Sequence, residues 1–407
     1  MRKVEQLPVL IVGAGPVGAV CAFGLWRRGV PVVMVEAEPA PVQDQRAAST
    51  QPPTLEILAE LGLYEKALTR GLVSPVFRYF DRITGERVAE FDCALLKADT
   101  PFPFVLQHEQ FKLVDTILAE VAGQPDFAVR FSAKLVGFSQ GADAVSVELE
   151  GPDGRETVRC AYVIGCDGGR STVRKLAEIG FEGFTYPEKF IKIGTTFDFL
   201  SIARDYCFRN YFSDPEEWCN LFKVKGDGPP GIWRAIFPSR VGETDEDALS
   251  EAGMRSRLTK FFPGNDRWEI AYSAIYSVNQ RVAETFRKGR VLLAGDAAHV
   301  NNPIGGMGMN GGLHDAANLY TRLARVWRGE ADDDELDIYS RQRRKAQLDF
   351  VQQQTIRNKK ELEERDPARR RQHLDELKRT GDTPTLARAY LRRASLIDSV
   401  QAAAQVA

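Results

Sequence analysis

The sequence predicts an α/β protein in which a helix-flanked parallel sheet is interleaved with an antiparallel-sheet domain and followed by a helical C-terminal segment. Three observations carry that reading. Short apolar runs at residues 9–12, 32–35, 161–165 and 291–294 have the unbroken character of buried parallel strands. Between residues 181 and 276 aromatic side chains alternate with polar ones, as in an antiparallel sheet with one covered face. The end of the chain is charged and helical, with Arg369, Arg370 and Arg371 near Glu361, Glu363 and Glu364.

Taken in order, residues 17–28 show helical spacing between the first two strands and complete a strand–helix–strand unit. Leu55, Leu58 and Leu61 place a helix over residues 54–67, and another covers 111–121. A brief strand at 129–131 precedes a meander of 135–138, 145–149 and 156–160, which turns at Gly151-Pro152-Asp153-Gly154. A short helix is expected near 171–176, and a long one from Gly312 to Trp327 after a glycine-rich loop. One discontinuous domain then spans residues 1–75, 102–179 and 277–350. A β-sheet domain spans 76–101 and 180–276, and the C-terminal helical segment spans 351–407.

At 407 residues the chain exceeds one usual core, and its 43% hydrophobic and 27% charged residues are those of a globular protein. Disorder and a membrane span are not expected. A net charge of -2 offers no general attraction to nucleic acid, and the mixed signs around Arg370 read as a solvated helical face. Cys21, Cys93, Cys160, Cys166, Cys207 and Cys219 form no Cys-x-x-Cys pair, which fits a reducing cytoplasm. His108, His299, His314 and His373 lack ligand spacing, so no metal site is expected. The apolar stretch after Arg2 and Lys3 is interrupted by four glycines and Pro16, and reads as fold rather than as a removable leader.

Three motifs carry chemistry. Gly13-Ala14-Gly15-Pro16-Val17-Gly18 follows a strand and opens a helix. Gly13 permits the tight turn, Gly15 lets backbone approach a pyrophosphate, and Gly18 lets helix and strand pack closely. The second strand ends at Glu36, where a carboxylate accepts from an adenosine ribose and repels a 2′-phosphate. That favours FAD or NAD over NADP. The second motif, Cys166-Asp167-Gly168-Gly169-Arg170-Ser171-Thr172-Val173-Arg174, again joins a strand to a helix. The third runs from Gly289 through Gly295-Asp296 and His299 to Pro303, Gly305-Gly306-Met307-Gly308-Met309-Asn310-Gly311-Gly312 and Asp315. Asp167 and Asp296 each follow a buried strand, at the carboxyl end where ligands of α/β sheets bind. The glycines after Pro303 let main chain lie against a flat ligand, and the helix after them points its positive end at it.

Together these motifs resemble the group A flavoprotein monooxygenases, the family of para-hydroxybenzoate hydroxylase, over nearly the whole chain. The resemblance implies a Rossmann-like FAD-binding domain of that type, interleaved with the antiparallel-sheet substrate domain. Gly13, Gly15, Pro16, Val17, Gly18, Glu36 and Ala37 would hold the ADP half of FAD, with Arg46 near the pyrophosphate and Gln107 a further contact. Asp167 and Gly168 would serve both FAD and the nicotinamide cofactor. Gly295 and Asp296 would meet the ribityl chain, while Pro303, Gly306, Gly308, Met309 and Asn310 would lie along the isoalloxazine, the last two through backbone N–H groups. Family members often carry Gly-Gln-Gly where this chain has Gly306-Met307-Gly308, so a polar contact from Met307 is not expected.

The implied activity is that of a single-component hydroxylase, EC 1.14.13-like. NADH or NADPH, bound transiently, reduces FAD, O2 adds at flavin C4a, and the hydroperoxide transfers one oxygen to an aromatic, phenolic or N-heteroaromatic small molecule. No protein nucleophile is needed, and a homodimer is left open. Arg170 or Arg174 would contact the reductant's phosphates, unless each makes a helix-start ion pair. His299 suits a structural position beneath the loop better than an acid or base role. The floor of the substrate cavity is expected from Tyr211, Phe222, Trp233, Arg234 and Phe237. Trp233 and Phe237 share one strand face, taken as the cavity wall, and Arg234 takes the other as a surface cation, although facing the cavity it would suit a carboxylate substrate. The competing readings are a dehydrogenase or reductase of the same fold, a flavin-dependent halogenase (whose usual Trp-x-Trp-x-Ile-Pro stretch is absent) and a non-catalytic flavin-binding regulator.

Overall fold

Gly13 sets the geometry of the first crossover. Its φ of +104° is open to glycine without strain, and a Cβ there would lie 2.5 Å from the Cys166 carbonyl oxygen. The chain therefore leaves the Val9–Val12 strand sharply and enters the Pro16–Trp26 helix. The computed structural model describes residues 7–43, 47–203, 205–265 and 267–407.

A six-stranded sheet is built in the order Arg287–Lys288, Val291–Leu293, Tyr162–Gly165, Val9–Val12, Val32–Val35 and Phe127–Arg130. All its pairs are parallel except the edge hairpin of Arg287–Lys288 with Val291–Leu293. Because the four central strands run the same way, Gly13, Glu36, Cys166 and Ala294 all follow carboxyl ends on one edge of the sheet. That edge is where the sequence motifs meet. The Pro16–Trp26 and Gly308–Trp327 helices pack together beside it, and a Cβ on Gly312 would approach Val17 to 2.6 Å.

The second large sheet has eight strands: His299–Val300, Ile270–Ala283, Phe181–Thr195, Ile232–Pro238, Cys219–Val224, Arg209–Ser213, Val76–Asp81 and Arg87–Asp92. One face packs Phe80, Ile191, Phe212, Trp233 and Phe237 under the Glu251–Phe261 helix. The other packs Phe77, Phe91, Tyr211 and Ile236 against Leu377, Leu391 and Ile397 of the C-terminal helices. The meander of Lys134–Gln140, Val145–Gly151 and Gly154–Cys160 turns through Pro152 and Asp153 as expected.

Four elements differ from expectation. The helix expected over 54–67 is two, Pro52–Glu60 and Tyr64–Arg70, because Gly62 takes a φ of +75° between them. The stretch between 181 and 276 is not all strand: Asp245–Leu249 and Glu251–Phe261 are helices, started by Thr244 and Ser250 caps. One pair in the sheet is parallel, Arg209–Ser213 with Val76–Asp81, since the latter strand arrives from an earlier part of the chain. The long helix expected from Gly312 begins one turn earlier, at Gly308, because the glycines after Met307 take helical rather than loop geometry.

Candidate active site

The first motif and Glu36 close on each other. Glu36 Oε2 accepts from the Ala14 N–H at 2.8 Å and Oε1 from the Glu38 N–H at 3.1 Å. This pins the second strand's carboxylate at the mouth of the glycine turn. Among the described residues no side chain caps the Pro16–Trp26 helix, which leaves its first N–H groups without a capping partner. Gly13, Gly15, Pro16, Glu36, Ala37, Cys166 and Asp167 are among the walls of a cavity of about 310 Å³ at this edge. Among the described residues a Cβ on Gly15 would meet nothing within 4 Å, so its Cα borders space that none of them fills. Gly18 and Val17 lie behind the turn; the Val17 side chain packs on Gly295 and Gly312. Arg46, expected near the pyrophosphate, lies outside the described residues.

Asp167 starts the next helix. Its Oδ1 accepts from Ser171 Oγ at 2.5 Å, and its Oδ2 from the N–H groups of Thr172 at 2.7 Å and Val173 at 3.1 Å. Arg174 is not placed to take a phosphate. It is buried, stacks 3.7 Å over Phe181, and donates to Ala297 O at 2.7 Å and Gly169 O at 2.9 Å. The second and third motifs are thus tied by one guanidinium. Arg170 is exposed beside them.

Asp315 organises the third motif. Its Oδ2 accepts from His299 Nε2 at 2.7 Å and the Gly295 N–H at 3.0 Å, and its Oδ1 from Arg343 Nε at 2.7 Å. Burial alone would raise this carboxyl, but His299 and Arg343 outweigh it and hold it below the ordinary carboxylate range. His299 therefore has the structural position expected of it. Asp296 is half-buried in the single turn Gly295–Ala297, and Pro303 accepts the Gly306 N–H at 3.0 Å in the glycine-rich loop.

Asn310 pins that loop from beneath. Its Oδ1 accepts from the Gln51 N–H at 2.8 Å and Thr54 Oγ1 at 2.7 Å, and its Nδ2 donates to Ser49 O at 2.8 Å and Gly306 O at 2.7 Å. The amide is fully engaged, which leaves only the main chain of Met309 and Asn310 at the uncapped helix start. Met307 packs against Val351 and Leu396.

A small aromatic cavity, a cleft of about 20 Å³, adjoins the loop. Gly305 and Met307 line it together with Phe77, Tyr79, Arg209, Tyr211 and Tyr390. Tyr79 and Tyr211 stack at 4.8 Å, Phe222 meets Tyr211 edge-on at 5.3 Å, and Tyr79 Oη lies 2.9 Å from Tyr390 Oη. Two expectations are corrected here. Trp233 and Phe237 point away from the cleft, into the cluster with Phe199, Phe261 and Trp268, because pairing places their strand face under the helix rather than toward the loop. Arg234 is no surface cation: it is 2% exposed and shares the face of Phe222, its partner across the strands.

Residues 6–354 match the model of the "FAD binding domain" family. The chain is 33% identical over 391 residues to para-nitrophenol 4-monooxygenase of Pseudomonas sp. strain WBC-3, covering 94% of each chain. It is 31% identical over 364 residues to 6-hydroxy-3-succinoylpyridine 3-monooxygenase of Pseudomonas putida strain DSM 28022 / S16, covering 88% of this chain and 90% of that one. Its fold matches the crystal structure of p-nitrophenol 4-monooxygenase from Pseudomonas putida DLL-E4 with a TM-score of 0.91 and 31% identity, over 97% of this chain and 98% of the other. The chain belongs to the FAD-dependent aromatic monooxygenases.

The residues of this monooxygenase suit FAD. Two helix N-termini without capping side chains face the same sheet edge, and the open space at Gly15 is of the kind a pyrophosphate needs. Gln107 is fully buried, its Oε1 accepts from Ser49 Oγ at 3.0 Å, and its Nε2 has no partner among the described residues. A buried amide donor without an acceptor is what a bound ligand oxygen would satisfy. The sequence did not single out Tyr79, Arg209, Tyr390 or Arg343 of the monooxygenase. Arg209 was within reach, since it has the same strand parity as Tyr211. The Tyr79–Tyr390 pair spans 311 positions and left no local signal.

Proposed function

We propose that this monooxygenase hydroxylates a phenolic ring bound against the Tyr79–Tyr211 wall beside the glycine-rich loop, with NADH or NADPH as reductant and O2 as oxygen source. The observation that carries the reading is the cleft's position, walled by aromatic rings on one side and by Gly305 and Met307 of the glycine-rich loop on the other. The names of the relatives, a nitrophenol and a hydroxypyridine monooxygenase, support the ring class. Six free thiols support a reducing, cytoplasmic setting.

Gly13, Gly15, Pro16, Val17, Gly18, Glu36 and Ala37 would hold the adenosine and pyrophosphate of FAD. Gln107, Asp167, Gly168, Gly295 and Asp296 would hold its middle, and Pro303, Gly306, Gly308, Met309 and Asn310 the flavin end. The chemistry that FAD supplies when bound is two-electron redox and activation of O2. The protein excludes water, aligns the ring and moves protons. The N-terminus of the Gly308–Trp327 helix offers fixed positive potential to charge on the flavin's N1/O2 edge.

A phenol must lose its proton to become a strong nucleophile. Burial raises both the Tyr79 and Tyr390 hydroxyls above their ordinary range, with their mutual hydrogen bond adding to the rise at Tyr79 and opposing it at Tyr390, so the pair relays a proton as neutral hydroxyls rather than accepting one as tyrosinate. Beyond it, the same two residues line a chamber with Glu361 and His373, which also border an outer groove of about 530 Å³. That series is the exit we assign to the phenolic proton.

The test is a paired assay of purified, FAD-loaded enzyme with phenols and hydroxypyridines. Substrate-stimulated NAD(P)H oxidation, yielding a product one oxygen heavier in air and none without O2, is expected. Product formed equally well without O2 would overturn the reading.

A further inference from the structure

We infer that Gln280 and Asn358 are positioning residues of the reaction. They hold the loop of residues 302–306 in one place beside the flavin site, so that oxygen reaches the ring instead of escaping as hydrogen peroxide. The inference rests on the reading of the chain as a hydroxylase whose flavin lies along that loop.

Gln280 lies near the end of the Ile270–Ala283 strand and is only 2% exposed. Its Oε1 accepts from the Asn302 N–H at 3.0 Å and from Asn302 Nδ2 at 3.3 Å. Its Nε2 donates to Gln352 O at 3.3 Å and to Thr355 Oγ1 at 2.9 Å. A backbone N–H can only donate and a backbone carbonyl can only accept, so this amide has one orientation. A single side chain thereby ties the aromatic sheet, the loop and the C-terminal helices together. Asn302 is itself fully buried and passes the constraint on, because its Oδ1 accepts from the Ile304 N–H at 3.2 Å.

Asn358 grips the same loop from the Gln353–Leu362 helix. Its Nδ2 donates to Ile304 O at 3.3 Å, and its Oδ1 accepts from Gln354 Nε2 at 2.7 Å. A Cβ on Gly305, where φ is +101°, would lie 2.8 Å from that Nδ2. The amide therefore meets the loop's main chain with no side chain between them. The helix enters through a π-helical turn, Gln347–Gln352, from which Gln352 Nε2 donates to Val300 O at 3.0 Å. Such turns are rare and concentrate at functional sites.

Packing alone does not call for this arrangement, since apolar side chains of the same volume fill a core without the cost of desolvating amides. What the satisfied network adds is a unique position for the loop. Displacement by about 1 Å costs a reaction up to about a hundredfold. With the loop displaced, the hydride of NAD(P)H and one proton reduce O2 to H2O2, and the ring is returned unaltered.

The test compares FAD-loaded wild type, Gln280→Met, Asn358→Ala and Gln280→Glu with 4-nitrophenol and 3-hydroxypyridine. It reads hydroxylated product and H2O2 per NAD(P)H consumed, and the visible circular dichroism of the bound flavin. Gln280→Met and Asn358→Ala should retain FAD, alter the dichroism and lower product per NAD(P)H at least about fivefold, the difference appearing as H2O2. Gln280→Glu should match wild type at about pH 6, where a buried carboxyl is protonated and donates to Gln352 O as the amide does. At about pH 8.5 a carboxylate would face that carbonyl, and the ratio should fall toward that of Gln280→Met. Wild-type ratios in both Gln280→Met and Asn358→Ala would overturn the inference, as would a Gln280→Glu ratio that keeps step with wild type across pH. Should Gln280→Met fail to fold, the other two variants decide in the same way. If wild type consumes NAD(P)H but yields no hydroxylated ring, the hydroxylase reading alone fails. The dichroism then decides, and spectra of the variants superimposable on wild type would overturn the positioning role.

Discussion

The imidazole Nε2 of His299 donates to Asp315 Oδ2 over 2.7 Å, and both residues are buried. The same carboxylate receives the Gly295 N–H and Arg343. One buried anion thereby fixes the start of the third motif to the Gly308–Trp327 helix, and the position of Asp296 follows from it.

Asp315→Asn is expected to destabilise the fold by about 3 kcal/mol, because it leaves Arg343 buried without a counter-ion. The sign of the pH dependence follows from the lowered carboxyl. Its contribution is complete above the unfolded carboxylate value and is lost as pH falls through the lower folded one. Urea unfolding from pH 7 down to acid should therefore show the wild type losing more stability than Asp315→Asn. Parallel curves would contradict the assignment.

Gly13 and Gly15 are separated by one residue but should fail differently. Gly13→Ala forces a Cβ to within 2.5 Å of Cys166 O at a φ of +104°, and should cost about 2 kcal/mol or more in thermal unfolding. Gly15→Ala meets no atom of the described residues within 4 Å, so the apoprotein should keep its stability within about 0.5 kcal/mol. Its FAD affinity should nevertheless fall at least about tenfold, since the new methyl sits where the pyrophosphate approaches. Equal FAD affinity in Gly15→Ala and wild type would remove the cradle from this turn.

Tyr79→Phe keeps the ring stack with Tyr211 and deletes one hydroxyl of the pair with Tyr390. Turnover of a phenol should drop by about ten- to a hundredfold. The loss should shrink at pH values where the free phenol is already ionised, with ligand affinity nearly unchanged. A uniform loss at every pH would assign Tyr79 to packing only.

Glu361 gives a pH effect of opposite sense to Asp315. Burial, reinforced by Glu376 and opposed by Arg357, raises its carboxyl to about 7. The folded protein then holds a proton that the unfolded chain releases near the ordinary carboxylate value. Stability present below that value is lost as pH rises toward 7. Glu361→Gln should accordingly raise the urea midpoint at pH 8 and leave it nearly unchanged at pH 4. A midpoint at pH 8 no higher than wild type would contradict the raised value.

The parallel sheet and its glycine turns were legible in the sequence because their signals are local. Gly13, Glu36 and Asp167 take their positions from strand ends only a few residues away. The aromatic sheet was legible as alternation, but not which face meets the cleft. Trp233 and Phe237 read as a cavity wall until strand pairing and the Glu251–Phe261 helix placed them in a sealed core. Arg234 read as a surface cation and Arg209 was not singled out, because burial of an arginine depends on elements far along the chain. Tyr390 entered the cleft only through the packing of the C-terminal helices, which no periodicity announces.

The most direct measurement is mass spectrometry of the ring product formed by FAD-loaded enzyme and NAD(P)H under ¹⁸O2 in ordinary water. One ¹⁸O atom per hydroxylated product is expected. A product carrying oxygen from water, or a phenol returned unaltered while NAD(P)H is consumed, would contradict the assignment of this cleft to oxygen insertion.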